Sequence, residues 1–479
     1  MNKRIKPVLR TLLFLLVILI SPVFSVRSSD GDTTSQETFL AEYVIHFPSV
    51  LSNYPPPPPI FGAQVSPPGK TDLVIDKMES SGISWVRLTA FDWDLIEPVR
   101  TNPPTYNWAE VKEQDLEEIS DRGMRAIAIV SKTPAWAQKT PPAYCGPISP
   151  DALDEYAQFL QTLVKRYRVP PYNIKYWELG NEPDIDPGLV GSDSVYGCWG
   201  DEEDEYYGGG YYAEMLKVAY PAIKAVDPTA QVLIGGLLLD CDPTNPPNGK
   251  TCKPARFLEG ILRNGGGNYF DAVSFHGYPP YSGDQGGGLY NDVHYLGWEA
   301  RGGVVLGKIS FIREVMANYG LNKPIMHTEG SLICPYCESP TAGFLEAQAD
   351  FVIWLYVRNI AEGLKSTIWY QFNGPGWRFS GMLDENQEPK PAYRVLEFLT
   401  QELAGAIYRF PIVQYPALKG YEFRNSQNRI WILWSPDGSS YTIGLPSGYQ
   451  RVLDKYGTDI TPSTNSLSVN SPIYIELIP

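Results

Sequence analysis

Eight successive pairs of a short apolar run and a helical stretch, spread over residues 60–404, predict an α/β chain folded as a (β/α)8 TIM barrel. A small C-terminal all-β, sandwich-like domain is expected at 405–479. Three observations carry this reading. The alternation of strand and helix from residue 60 onward argues for a parallel sheet. Two of the runs end in the same design, a strand that stops at Glu182 or at Glu329 beside glycine. They lie three units apart at roughly 49 residues per unit, the long end for a barrel with loop insertions. After Ala404 the pattern changes to short β runs with tight turns and no helix.

Taken in order, the first strand is expected at 60–65 and its helix at 71–81. Strands two to four fall at 83–88, 124–130 and 174–179, with helices at 108–122, 152–168 and 211–226. Strands five to eight fall at 232–235, 270–275, 324–328 and 367–372. Their helices are 254–263, 308–319, 344–362 and 391–403. Beyond the barrel, β runs at 420–423, 429–434, 440–443, 450–453 and 473–477 are separated by turns such as Pro436-Asp-Gly438 and Tyr456-Gly-Thr458. A structural role for that domain outweighs a ligand-binding one.

Upstream of the barrel, Lys3, Arg4, Lys6 and Arg10 precede an apolar run at 12–20 and small residues near 25, the layout of a secretory signal. The run is short for a transmembrane helix, so an uncleaved anchor is the lesser alternative and the only route to a membrane. Residues 26–59 read as a Ser/Thr/Pro-rich tether ending in Pro55 to Pro59. Six cysteines in an exported chain favour disulfides. The pairs expected are Cys145 with Cys198, Cys241 with Cys252, and Cys334 with Cys337. The last spells Cys-Pro-Tyr-Cys, a redox-like motif, yet a staple beside Glu329 is the better reading.

Composition narrows the partners. Formal charge is −15, without basic clusters past the N-terminus, so nucleic acid is not expected. Aromatic residues make up 13% of the chain, a supply of flat faces for sugar rings as well as core. The four histidines lack paired-ligand spacing, and no phosphate-binding glycine loop or serine elbow is present, so neither metal nor cofactor is expected.

The chemistry concentrates at strand ends, which in a parallel barrel share one mouth. Asn181-Glu182-Pro183 closes the fourth strand and Thr328-Glu329-Gly330 the seventh. These two motifs resemble those of the clan A retaining glycoside hydrolases, and the surrounding details are most similar to family 39, over about residues 61–404. The resemblance implies Glu182 as acid/base, Glu329 as nucleophile and Asn181 as a partner of the sugar 2-hydroxyl. Arg87, ending the second strand, is expected to fork onto Glu329. His276 and Tyr278, ending the sixth, are expected at the nucleophile or the sugar. Strand alternation lets only one of Trp369 and Tyr370 face inward, and Trp369 is the expected aromatic platform, extended by Trp377. His327 is expected either to share the inward face with Glu329 or to sit in the barrel core. Trp93, Trp136 and Trp199 are weaker platform candidates. The function implied is an exported retaining glycosidase for a neutral β-linked sugar. A sugar-binding barrel that has lost activity, or a transglycosylase using the same residues, are the alternatives.

Overall fold

The computed structural model describes residues 59–65, 71–191, 194, 196–283 and 296–479. The expected export signal and nearly all of the tether lie outside them. Strands β1 (Phe61–Gln64), β2 (Trp85–Asp92), β3 (Arg125–Ser131), β4 (Tyr176–Asn181), β5 (Gln231–Gly236), β6 (Val273–Gly277), β7 (Ile325–Gly330) and β8 (Thr367–Trp369) form one parallel sheet. Its order is β5-β4-β3-β2-β1-β8-β7-β6. Isolated parallel bridges from Leu233 to Ala272 and from Leu237 to Phe275 join the two outermost strands and bring the sheet round into a barrel.

Each strand is followed by a helix: α1 (Thr71–Ser80), α2 (Glu113–Asp121), α3 (Leu153–Tyr167), α4 (Gly209–Val226), α5 (Phe257–Arg263), α6 (Val304–Asn318), α7 (Ala342–Ala361) and α8 (Pro391–Glu402). The packing of α3 shows why these segments are helical. Tyr156, Phe159, Leu160, Leu163, Val164 and Tyr167 recur at helical spacing, and all are buried against the sheet. The helix expected at 108–122 is shorter, because Trp108–Glu110 forms only a 3-10 turn before α2 begins. β8 is shorter than expected too, since the chain leaves the ladder after Trp369.

Inward-facing residues fill the barrel. Trp85, Ile127, Leu233, Ala272, Met326 and Ile368 form a closed apolar plug, with Tyr176 packed against it. Above this plug the inward positions turn polar: Gln64, Arg87, Glu178 and His276 are all buried. That change of lining within one strand bundle places the site at the C-terminal mouth.

After α8 come seven antiparallel strands. β9 (Ile407–Pro411), β10 (Lys419–Arg424), β11 (Arg429–Trp434), β13 (Tyr449–Asp454) and β15 (Ile473–Leu477) make a five-stranded sheet in the order β13-β15-β11-β10-β9. β12 (Tyr441–Gly444) and β14 (Ser466–Val469) pair separately. Leu433, Val452, Ile475, Ile443 and Val469 share a small core of their own. The other face of the larger sheet docks on the barrel: Trp434 stacks on Trp354 of α7 at 5.6 Å, and Tyr474 meets Phe398 of α8 at 5.1 Å. Sandwiched between sheet and β domain, α7 is buried almost all round, which accounts for its lack of a polar face.

All six cysteines are paired, as expected: Cys145–Cys198, Cys241–Cys252 and Cys334–Cys337. No described helix is long and apolar enough to cross a membrane.

Candidate active site

Four strand ends build the site around one guanidinium. Arg87 on β2 is fully buried, and its Nε donates to Glu178 Oε2 on β4 at 2.6 Å. Nη1 donates to Gln64 Oε1 on β1 at 2.6 Å and to Glu329 Oε1 on β7, and Nη2 to Asn181 Oδ1 at 2.7 Å. Such a fork fixes two carboxylates and two amide oxygens around one planar group. Burial works against the Arg87 charge, but the fields of Glu178 and Glu329 outweigh it and raise its pKa. Arg87 stays cationic throughout.

Glu329 is held from both sides, since its second oxygen accepts from the Tyr278 hydroxyl. Burial pushes its carboxyl up, while Arg87 and the Tyr278 hydrogen bond pull it back down. Glu182 has a different environment. Its backbone adopts φ +50°, a left-handed conformation unusual for a side-chain-bearing residue. Its N–H donates to the Gly236 carbonyl at 2.9 Å. Gly180, at φ +93°, supplies the turn that swings Asn181 and Glu182 over the mouth. The Glu182 carboxyl meets His276 Nδ1 at 2.7 Å. Burial first, and then the charges of Glu329 and Asp184, hold the Glu182 pKa well above the usual carboxylate range.

His276 stands between the two acids, with Nδ1 also 3.4 Å from Glu329 Oε2. Burial drives its pKa well below the usual value, so the ring is neutral. Its Nε2 has no hydrogen-bond partner and lies where a Cβ on Gly236 would be, at 2.0 Å. An unpaired lone pair there costs less than an unpaired N–H, so the network assigns the proton to Nδ1, pointing at the carboxylates. One oxygen of Glu182, one of Glu329 and a ring nitrogen of His276 all lie within 4.8 Å of one another. A metal there would compete with Arg87 for Glu329. Asp240, Cys241 and Cys252 also cluster, but both sulfurs are bonded to each other and offer no thiolate.

The acids open into a cleft of about 690 Å³, with Tyr196, Tyr278, Tyr370 and Trp377 among its walls. Trp377 is 43% exposed and meets the Tyr278 ring edge-on at 5.5 Å. Trp369 does not reach this cleft, which corrects the expectation for the eighth strand. Ile368 belongs to the inner plug, so alternation turns Trp369 outward, where it is fully buried near Phe351 with Nε1 donating to the Ser380 carbonyl at 2.9 Å. Tyr370 is the aromatic of that pair that lines the cleft.

His327 is likewise apart from Glu329. A register irregularity after His327 inserts an extra residue into β7, so the two side chains take different faces. His327 stacks on Phe275 at 4.4 Å, its Nδ1 lies 3.0 Å from Asn359 Nδ2 on α7, and burial lowers its pKa to about 3. Trp93 and Trp199 touch the cleft from buried positions, whereas Trp136 packs on Trp93 away from it. Gln64 and Glu178 were not anticipated, and Tyr370, the other member of its pair, takes the place expected of Trp369. A charged residue inside an otherwise apolar strand was the available signal for Glu178, because a buried carboxylate needs a cation.

No protein-family model matches the chain, and a comparison with curated proteins returns no match. Among solved structures the fold is that of glycoside hydrolases. A family 39 glycoside hydrolase from the gut symbiont Bacteroides cellulosilyticus WH2 aligns over 87% of this chain and 80% of its own, at TM-score 0.65 and 19% identity. A family 39 β-xylosidase from Caulobacter crescentus aligns over 88% and 97%, at TM-score 0.55 and 14% identity. A family 30 endoxylanase from Clostridium papyrosolvens C71 aligns over 88% and 96%, at TM-score 0.55 and 12% identity. At such identities the likeness establishes the architecture, a (β/α)8 barrel with an attached β domain.

Proposed function

We propose that this chain is an exported retaining glycoside hydrolase that cleaves a neutral β-linked sugar or polysaccharide by double displacement. Glu182 serves as acid/base and Glu329 as nucleophile. The observation that carries the proposal is the approach of the two carboxyl groups to within 4.8 Å, oxygen to oxygen. Formation of a glycosyl ester calls for about 5–5.5 Å between carboxyls, whereas an inverting enzyme leaves about 6.5–9.5 Å for a water.

The surroundings support the division of roles. Glu182 has the more strongly raised pKa and no cation bonded to it, as a proton donor requires. Glu329 is aimed by Arg87 and Tyr278, as a nucleophile requires. In the first step Glu329 attacks the anomeric carbon, the bond to the leaving oxygen breaks, and the Glu182 proton goes to that oxygen. In the second step Glu182 takes a proton from water, which attacks the same carbon and releases Glu329. Asn181, fixed by Arg87, is placed to hold the sugar 2-hydroxyl. Trp377 and Tyr370 offer faces for the ring planes. The three disulfides suit an oxidising, extracytoplasmic setting.

The test is a panel of aryl β-glycosides, β-xylosides first because two of the structural neighbours are named for xylose-containing substrates. The first-formed anomer is followed by NMR. Retained configuration is expected, with loss of turnover in Glu182→Gln and Glu329→Gln. Binding of glycans without any aglycone release by the wild type would favour the sugar-binding alternative.

A further inference from the structure

Among the described residues β5 and β6 are joined by isolated bridges rather than a continuous ladder, and Glu182 is anchored to both sides of this seam. Glu182 takes its backbone anchor from Gly236 on β5 and its side-chain partner from His276 on β6. A third element reaches the same place. Lys308 on α6 is 5% exposed, and its ammonium donates to the Leu238 carbonyl just past β5 at 2.6 Å and to the His276 carbonyl on β6 at 2.9 Å. Asp184, two residues beyond Glu182, accepts the N–H groups of Leu238 and Leu239 at 2.9 and 2.8 Å. One turn of chain after β5 is therefore gripped from both sides, by the Glu182 loop and by Lys308.

Burying a lysine costs desolvation and side-chain entropy, and two carbonyls could be satisfied by neutral donors. What an ammonium adds is charge. Among the described residues Lys308 makes no ion pair, so its field is not cancelled locally. The groups that face it are Glu182 and Asp184 after β4, Asp240 after β5, His276 on β6 and His327 on β7. Both histidines are kept neutral by burial, which leaves the three carboxyls to respond.

We propose that Lys308 is a positioning residue for the proposed hydrolysis. It fixes the His276–Glu182 pair from the helix layer, and its charge favours the carboxylate that Glu182 becomes once it has protonated the leaving oxygen. The proposal rests on the acid/base reading of Glu182. Burial lowers the Lys308 pKa to about 8 against the pull of Asp184, Glu182 and Asp240, so the ammonium persists through acid and neutral pH.

Two measurements on Lys308→Met separate this from a purely structural role and from failure of the functional reading. The first needs no turnover: the Glu182 carboxyl is titrated by carbon-13 NMR, assigned by its disappearance in Glu182→Gln. Loss of the cation is expected to move that titration to higher pH by at least half a unit. The second is the pH profile of kcat/KM on an active glycoside. Its alkaline limb is expected to move upward with the titration, while kcat falls by about tenfold or more and KM changes less. A Glu182 titration unchanged in Lys308→Met overturns the proposal whether or not the protein turns over glycosides. A titration shifted in Lys308→Met, with a wild type that lacks glycosidase activity, supports the Lys308–Glu182 coupling but refutes hydrolysis. Should Lys308→Met not fold, Lys308→Gln keeps an N–H donor for the Leu238 and His276 carbonyls without the charge and gives the same readouts.

Discussion

Arg87, Tyr278 and His276 give two chemically identical carboxylates different environments, and the differences have measurable signs. Tyr278 donates to Glu329 and helps keep it ionised, so Tyr278→Phe is expected to raise the Glu329 pKa. In the proposed mechanism activity needs that carboxylate charged and is lost as pH falls through its pKa. The acidic limb of kcat/KM should therefore move to higher pH in Tyr278→Phe, with the alkaline limb nearly in place. Glu182 has the opposite dependence. Its pKa is raised in the folded protein, so its contribution to stability is full below the usual carboxylate value and is lost as pH rises through the folded value. Glu182→Gln removes a charge the site resists, and its melting temperature should exceed that of the wild type by about 1–3 °C at pH 7, with the gap closing near pH 4. The same variant should lose about 10²–10⁴-fold in kcat/KM on substrates with poor leaving groups.

Strands and their irregularities decide which of these residues meet. Gly236 on β5 accepts the Glu182 N–H through its carbonyl and, lacking a side chain, leaves room for the His276 ring. Gly236→Ala would place a methyl at 2.0 Å from His276 Nε2, inside contact distance with a buried ring that has nowhere to retreat. The expected result is a fall in kcat of about 10²-fold with a folded circular dichroism spectrum, checked by kinetics on the same substrate. Period-two reasoning worked where the ladders are regular. The plain alternation of Ile368, Trp369 and Tyr370 holds, although the inward member of the aromatic pair is the tyrosine. It failed at β7, where the irregularity between His327 and Gly330 separates His327 from Glu329. A bulge has no signature in a run such as Ile-Met-His-Thr-Glu-Gly. Two strands of the β domain were unread for a related reason: β9 is exposed at four of five positions, and β14 is a polar Ser-Leu-Ser-Val run.

At the scale of the molecule, barrel and β domain share one continuous core, with Phe423, Ile432, Trp434 and Tyr474 joining the helix layer. Lys455 pins that contact: 7% exposed, it pairs with Asp350 of α7 at 2.6 Å and with Glu346 at 2.7 Å. Lys455→Met removes the ammonium that Asp350 and Glu346 share and should cost about 1.5–3 kcal/mol, read as a lowered denaturant midpoint. Equal midpoints would mean the docking rests on the aromatic contacts alone. The barrel was legible from its alternation, its turns and its two glutamate-ended strands, all of them local signals. Asp184 and Lys308 were not, because a buried charge announces its partner only when distant strands are brought together.

The most direct measurement uses a 2-deoxy-2-fluoro glycoside with a good leaving group, which slows release of a glycosyl ester enough to trap it, followed by peptide mapping of the adduct. One equivalent of sugar is expected on the peptide carrying Glu329, formed with a burst of aglycone and absent in Glu329→Gln. An adduct on Glu182, or turnover of the unfluorinated substrate with inverted configuration and no adduct at all, would contradict it.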